Sequence, residues 1–371
     1  MRLPFPSHRF RRAGLRFALA SLAFLAVLLL ALQPRVANAE PPQPAQTMPS
    51  LQAAPTAPDA HAGNAGGEGT PHRVVVGLYI NDIQEVSFPT HSYAIDLYVW
   101  FRWKDAAANP SKSMEFMNRF QPYDHQRDLL TEEPKAMPDG TFYSVVREQG
   151  QLATKFNLER YPFDRQNFRI EIEDTLTTNV DQIYVPDKVP VLLNPRITLP
   201  GFRVGQPVMK IVDHDYHTNF GDLTSGAAES YSRVIVEIPV ARELVTVAVK
   251  AFLPVFLIIV CSTLIFFIMP SRVDGRIGLG ITALLTLVAL QLTATSTLPE
   301  VGYLMLIDKI YLASYAFIIA ALWRVVATSW SGEDGQSVQA VARRDHWWAA
   351  ILLLAYIAAL ALSAAWTFRL L

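Results

Sequence analysis

Cysteine is almost absent: Cys261 is the only one and lies within an apolar run, so no disulfide can staple a polar domain of this chain. Such a domain must be stabilised by its own core. No long basic tract with interleaved aromatics occurs and the formal net charge is -1, which argues against nucleic acid as a partner. No G-x-S-x-G, H-E-x-x-H or Walker loop is present, so no enzyme is indicated, and nothing calls for a cofactor or a metal. Asp213-His214-Asp215 comes nearest to a metal cluster, but successive residues of a strand alternate sides and cannot converge. Large apolar residues are scarce from 40 to 70, where Pro, Ala, Gly and Gln dominate. That segment buries too little to offset its ordering entropy, and 40–71 reads as a disordered linker.

What is present is apolar surface. The 371 residues are 51% hydrophobic, with a mean hydropathy of +0.21, too apolar for an ordinary soluble protein and too polar for a purely embedded one. Residues 1–39 read as a secretory signal peptide: Arg2, Arg9, Arg11, Arg12 and Arg16 precede an apolar core from Phe17 to Leu32, and Ala37-Asn38-Ala39 is a small-residue cleavage site. An uncleaved anchor helix is the alternative. Residues 72–242 change to short β-branched and aromatic runs, with strands over Val74–Ile83, Tyr93–Trp103, Thr141–Arg147, Phe168–Glu173 and Arg233–Ile238 and a turn at Pro138-Asp139-Gly140. The pattern predicts an extracellular all-β sandwich of immunoglobulin-like type. Residues 109–135 read as polar loop.

From 243 to 371 the pattern predicts an all-α four-helix transmembrane domain with spans of about 245–269, 277–298, 303–328 and 347–370, each near the roughly 20 residues a bilayer requires. Arg272 and Arg276 fall between the first two spans, and Arg324, near the end of the third, is grouped with Arg343 and Arg344 of the connection to the fourth, whereas 299–308 has no Lys or Arg. That asymmetry puts the sandwich and the C-terminus outside. Trp347, Trp348 and Trp366 suit interfacial belts.

The second span carries Thr282, Thr286, Gln291, Thr293, Thr295, Ser296 and Thr297, more hydroxyls than a lipid-facing helix needs. At about 100° per residue, Thr282, Thr286, Thr293 and Thr297 fall within an arc of about 60°, bordered by Gly278, Leu285, Ala289, Leu292 and Ser296. In a symmetric ring, Leu285 and Leu292 would make constrictions that close by dewetting while Thr282 and Ser296 offer hydroxyls to a passing ion. Equally open is that the hydroxyls bond back to the helix or to its neighbours. Asp274 lies about 40° from the Gly278-to-Ser296 line and Arg276 well beyond it, which favours cations over anions if this face lines a pore.

Several motifs together resemble the pentameric ligand-gated ion channel (Cys-loop receptor) family, especially its bacterial members, which lack the Cys-loop disulfide. Tyr161-Pro162-Phe163-Asp164-Arg165-Gln166 is similar to the family's aromatic-Pro-aromatic-Asp-x-Gln loop, with Thr154 and Phe168 where animal receptors carry the cysteine pair. Trp103-Lys104-Asp105 resembles the W-x-D element. Arg242, twelve residues before Pro254, and Leu298-Pro299 followed by Tyr303 complete an ordered set running from about 73 to 370.

The resemblance implies a homopentamer in a bacterial inner membrane that passes inorganic ions, with ligands bound between neighbouring sandwiches. It implies pore-lining positions at Asp274, Gly278, Thr282, Leu285, Ala289, Leu292 and Ser296. The stretch from Arg276 to Thr282 resembles the anion-selective branch, but Asp274-Gly275 stands where that branch has Pro-Ala. Gating coupling is expected from Tyr161, Pro162, Phe163, Asp164, Arg242 and Pro299, with Asp164 paired to Arg242 and Tyr161–Gln166 resting on the loop from Pro299 to Tyr303. Phe88 stands where relatives often have an acidic residue. The agonist is a small molecule or the proton. Tyr98, Phe220 and Tyr231, the last two flanking a capping loop over Gly221–Glu229, are candidates to hold an amine by cation–π attraction. His91 is the candidate proton sensor, ahead of His214, His217, Asp82 and Glu85.

Overall fold

The computed structural model describes residues 70–106, 108–221, 229–331 and 338–368. The signal peptide, nearly all of the linker and most of the capping loop lie outside them. A β-sandwich precedes four apolar helices, the order the sequence pattern predicts.

Twelve strands make the sandwich: β1 (His72–Ser87), β2 (Ser92–Trp103), β3 (Met114–Phe116), β4 (Arg119–Phe120), β5 (Gln126–Leu129), β6 (Lys135–Ala136), β7 (Phe142–Ala153), β8 (Arg165–Asp174), β9 (Gln182–Leu193), β10 (Phe202–Val204), β11 (Val208–Asp215) and β12 (Ser230–Arg242). One sheet runs β4-β7-β2-β1-β9, with β5 and β6 also on β7, and the other runs β10-β12-β8-β3, with β11 on β12. The core follows the two-residue period of a pleated strand. Tyr93, Ile95, Leu97, Val99, Phe101 and Trp103 of β2 turn inward to meet Phe168, Ile170 and Ile172 of β8 and Val234, Val236 and Ile238 of β12.

The five strands read from the sequence all exist, and all extend further. β9 escaped because Pro186 and Pro190 break its pattern, as fits a strand bordered on one side only, by β1. Residues 109–135 are not the polar loop expected: a single helical turn, Pro110–Ser113, leads into β3, β4 and β5. Their organiser is Glu148 of β7, buried, which accepts from Arg119 Nη2 at 3.0 Å and Arg127 Nε at 2.9 Å and faces His125 Nδ1 at 3.0 Å. Short polar strands of this kind owe their form to a carboxylate elsewhere in the chain, which local composition cannot reveal.

The four helices are α1 (Leu244–Thr263, continuing as a 3-10 turn over Leu264–Phe267), α2 (Val273–Thr295), α3 (Leu306–Ser331) and α4 (Val338–Phe368). All are long and apolar enough to cross a bilayer. α2 starts four residues earlier than hydropathy suggests and α4 nine, because both open on polar turns that the apolar count excludes. α2 packs on α1 and α3, and α3 on α4. The α2–α3 approach is close at Gly280, where a Cβ would come within 2.3 Å of Leu322 Cδ2.

Candidate functional site

α2 has two unlike faces. Arg276, Gly280, Ala283 and Leu287, spaced 4, 3 and 4 residues apart, are buried against the neighbouring helices. Asp274, Gly278, Thr282, Leu285, Ala289, Leu292 and Ser296 are all exposed in the single chain, Leu285 at 63% and Leu292 at 67%. Gln291, a half-buried polar side chain of the helix, is tied to α3 by the Tyr315 hydroxyl at 2.7 Å.

The hydroxyls bond back to their own helix. Thr282 donates to Gly278 O at 2.8 Å, Thr286 to Thr282 O at 2.8 Å, Thr293 to Ala289 O at 3.0 Å and Ser296 to Thr293 O at 2.9 Å. Each hydroxyl therefore spends its proton on a carbonyl and turns only oxygen lone pairs outward. Arg276, expected in a connecting loop, lies inside α2 and is fully buried, its Nη2 2.6 Å from Asp345 Oδ2. Arg324, grouped by its charge with the connection to the fourth span, is within α3 and donates to the other oxygen of Asp345 at 3.0 Å. Hydropathy cannot anticipate either, since a paired guanidinium and a solvated one look alike in sequence.

A second cluster joins the sandwich to the helices. Arg242, the last residue of β12, donates from Nε to Asp164 Oδ1 at 2.7 Å, with side-chain exposures of 10% and 1%. Three rings cover the guanidinium: Phe88 at 4.4 Å, Tyr161 at 4.8 Å and Phe202 at 4.8 Å. Phe88 thus fills with a ring the position where a second carboxylate was considered, and Phe202 had no signal in the sequence. Asp164 also accepts from Gln166 Nε2 at 2.6 Å, and Gln166 donates on to Asn157 O at 2.8 Å, which fixes the loop.

The loop expected to rest on the α2–α3 connection is tied to it from the residues that precede Tyr161. The backbone bonds come from just before it: Leu158 N donates to the Tyr303 hydroxyl at 2.9 Å, and Glu159 O accepts from Leu306 N at 2.9 Å. Pro162 is buried, Pro299 is half-buried, and Phe163 points down between Phe252 of α1, at 5.6 Å between ring centres, and Phe368 of α4, at 6.3 Å. A cavity of about 930 Å³ opens beside this contact, lined by Arg160, Phe163, Arg242, Glu243 and Phe368 among others.

The ligand candidates divide between the sheets. Tyr98 lies on β2, half-buried, with the Arg147 guanidinium 5.4 Å from its ring centre and Arg147 itself held by both oxygens of Asp96. One face of that ring already has a cation from its own chain. Phe220 and Tyr231 come together on the other sheet around Tyr216, at 5.1 and 5.6 Å from its ring centre, with His214 edge-on at 4.6 Å. Tyr216 was missed by sequence reasoning, although the His214-x-Tyr216 spacing puts both on one side of an extended segment. Its hydroxyl donates to Glu173 at 2.7 Å and accepts from Arg233 at 3.1 Å. Tyr231 donates to Glu229 at 2.6 Å; that carboxylate, with burial second, pushes the phenol up to about 12.

His91 sits in the β1–β2 turn with positive φ, and its Nδ1 accepts from Phe156 N at 3.1 Å. Burial, and then the Lys155 ammonium, hold it below the ordinary histidine range, so the neutral ring is the resting form. Its protonation would cost the hydrogen bond to Phe156, eight residues before Asp164.

Residues 251–337 match the family model described as the neurotransmitter-gated ion-channel transmembrane region. The matched stretch covers α2 and α3 whole, with most of α1. Taken with the four apolar helices, the match supports a multi-pass membrane protein and a subunit of a ligand-gated ion channel.

Proposed function

We propose that this chain is one subunit of a homopentameric ligand-gated ion channel in a bacterial cytoplasmic membrane, with the sandwich outside and α2 lining a cation-selective pore. The observation that carries the reading is the exposed face of α2 from Asp274 to Ser296, which sets a carboxylate and the hydroxyls of Thr282 and Ser296 beside two large leucines while Arg276 is buried on the opposite side. A lipid-facing helix has little reason to expose Asp274, Thr282 and Ser296 along one face. A ring of such helices turns the leucines into a hydrophobic constriction and Asp274 into an acidic mouth. Hydroxyls whose protons are already donated to carbonyls offer acceptors alone, which suits cations. Rotation of the sandwich about the Arg242–Asp164 contact reaches α2 through Tyr303 and the α2–α3 connection. The agonist binds between sandwiches near Tyr98 and the Tyr216 cluster, or is the proton acting at His91.

The test is ion flux through the full-length protein reconstituted in liposomes, scanned over pH and small amines, for wild type and Leu285→Ala. The variant is expected to leak or to activate at lower agonist concentration. Silence from both variants under every condition would refute the reading.

A further inference from the structure

Within α2, Asp274 and Arg276 stand two residues apart, about 200° around the helix, so the two charges point to opposite sides. Arg276 is buried at 0% exposure, as is Asp345 near the start of α4. Its guanidinium is met from three directions: Nη2 donates to Asp345 Oδ2 at 2.6 Å, Nε to Ile265 O at 3.0 Å, and Nη1 reaches Thr328 Oγ1 of α3 at 3.5 Å. Asp345 in turn holds Arg324, whose guanidinium lies 5.7 Å from the Trp348 ring centre. Two guanidiniums therefore share one carboxylate.

We infer that Asp345, a residue of α4 away from the pore face, determines the channel's charge selectivity by holding Arg276 out of the ion path. The inference rests on the pore reading above and assigns it a further specificity-determining residue. A guanidinium keeps its charge at any pH a protein survives, so Arg276 cannot adapt to a lost partner by releasing a proton. Without Asp345 it would face Arg324 in a dry interior, and the cheaper course is to swing to water. The nearest water is at the α2 N-terminus, where Asp274 and Gly275 are exposed. There a ring of arginines would stand beside the ring of Asp274 and oppose it. The α2 sequence alone is thus neutral between two outcomes, and the choice is made by a carboxylate about 70 residues away in the chain, a separation set by the Arg276–Asp345 pairing.

The experiment measures reversal potentials in an asymmetric salt gradient for reconstituted wild type, Asp345→Asn, Arg276→Gln and the double variant. Asp345→Asn is expected to lower the cation-to-anion permeability ratio about tenfold or more, the scale on which a charged ring concentrates counter-ions. Arg276→Gln should leave the ratio within about twofold of wild type, since a sequestered charge contributes little to the field of the pore. The double variant should return to that wild-type value. An unchanged ratio in a conducting Asp345→Asn channel would overturn the inference. Should Asp345→Asn not assemble, Arg276→Gln decides: a wild-type ratio supports sequestration, and a tenfold rise in cation preference refutes it. A wild type that never conducts would refute the pore reading and this inference together, an outcome distinct from conduction with unmoved ratios.

Discussion

The Asp164–Arg242 pair offers the sharpest energetic test of the junction. Replacing Asp164 with Asn keeps the shape but leaves a guanidinium that is 10% exposed and cannot deprotonate, with Nη2 already lacking a hydrogen-bond partner among the described residues. Removing one member of a buried pair costs about 3–5 kcal/mol. The three rings around Arg242 remain, and cation–π contacts worth roughly 0.5–2 kcal/mol each keep the loss toward the lower end. About 3 kcal/mol in a domain of this size lowers the unfolding midpoint by roughly 6–12 °C. Arg242→Met removes the charge and keeps an apolar stem among the rings. The double variant leaves neither charge orphaned and should recover part of the loss, giving a coupling energy of about 2–3 kcal/mol. The assay is thermal unfolding of the detergent-solubilised full-length chain, wild type and three variants at one scan rate. Additivity of the two single effects to within about 0.5 kcal/mol would refute the argument, because it would mean that the carboxylate and the guanidinium act independently.

Two further outcomes follow from the sandwich. Glu148→Gln leaves Arg119 and Arg127 facing a neutral amide, and should cost about 3 kcal/mol and expose 109–135 to proteolysis; an unchanged digestion pattern would count against Glu148 as organiser. His91 has its folded-state pKa below the unfolded value, so the native state binds fewer protons; its contribution is present above the ordinary histidine pKa and is lost as pH falls through the lowered folded value. His91→Asn keeps an acceptor for Phe156 N, tolerates the positive φ and does not titrate, and should flatten the melting temperature between pH 7.5 and 5 relative to wild type. Parallel pH profiles for the two proteins would exclude His91 as the titrating group.

Legibility divides along one line. Features set by local pattern were readable: the alternation of β2, the apolar length of the four helices, and the angular position of the exposed α2 residues, which depends only on 100° per residue. Features set by partners distant in sequence were not. Arg276 reads as a basic residue at a membrane edge until Asp345 is folded against it. Nothing in the sequence marks Phe202 and Phe88 as partners until Arg242 is inserted between them. Glu148 falls just past the strand read over Thr141–Arg147, and the strands it gathers read as loop. In each case a buried charge is matched across a long sequence separation, and neither periodicity nor composition encodes that pairing.

These same charges divide the labour between the two ends of the membrane domain. At the sandwich end Arg242 is bonded, among the described residues, through Nε to Asp164 and otherwise rests on ring faces, contacts that tolerate sliding because a ring quadrupole is broad and weakly directional. At the end away from the sandwich Arg276 is bonded to a carboxylate and a carbonyl in a fully buried site, where any displacement strands a charge. A helix clamped below and loosely seated above moves most at its upper half. On the proposed reading, agonist-driven motion of Tyr303 therefore tilts α2 outward at Leu292 and Leu285 while the selectivity end near Asp274 stays fixed. The gate can then be changed apart from the filter: Leu285→Ala alters opening without altering permeability ratios, whereas Asp345→Asn, which also releases the clamp on α2, alters the ratios and the opening together.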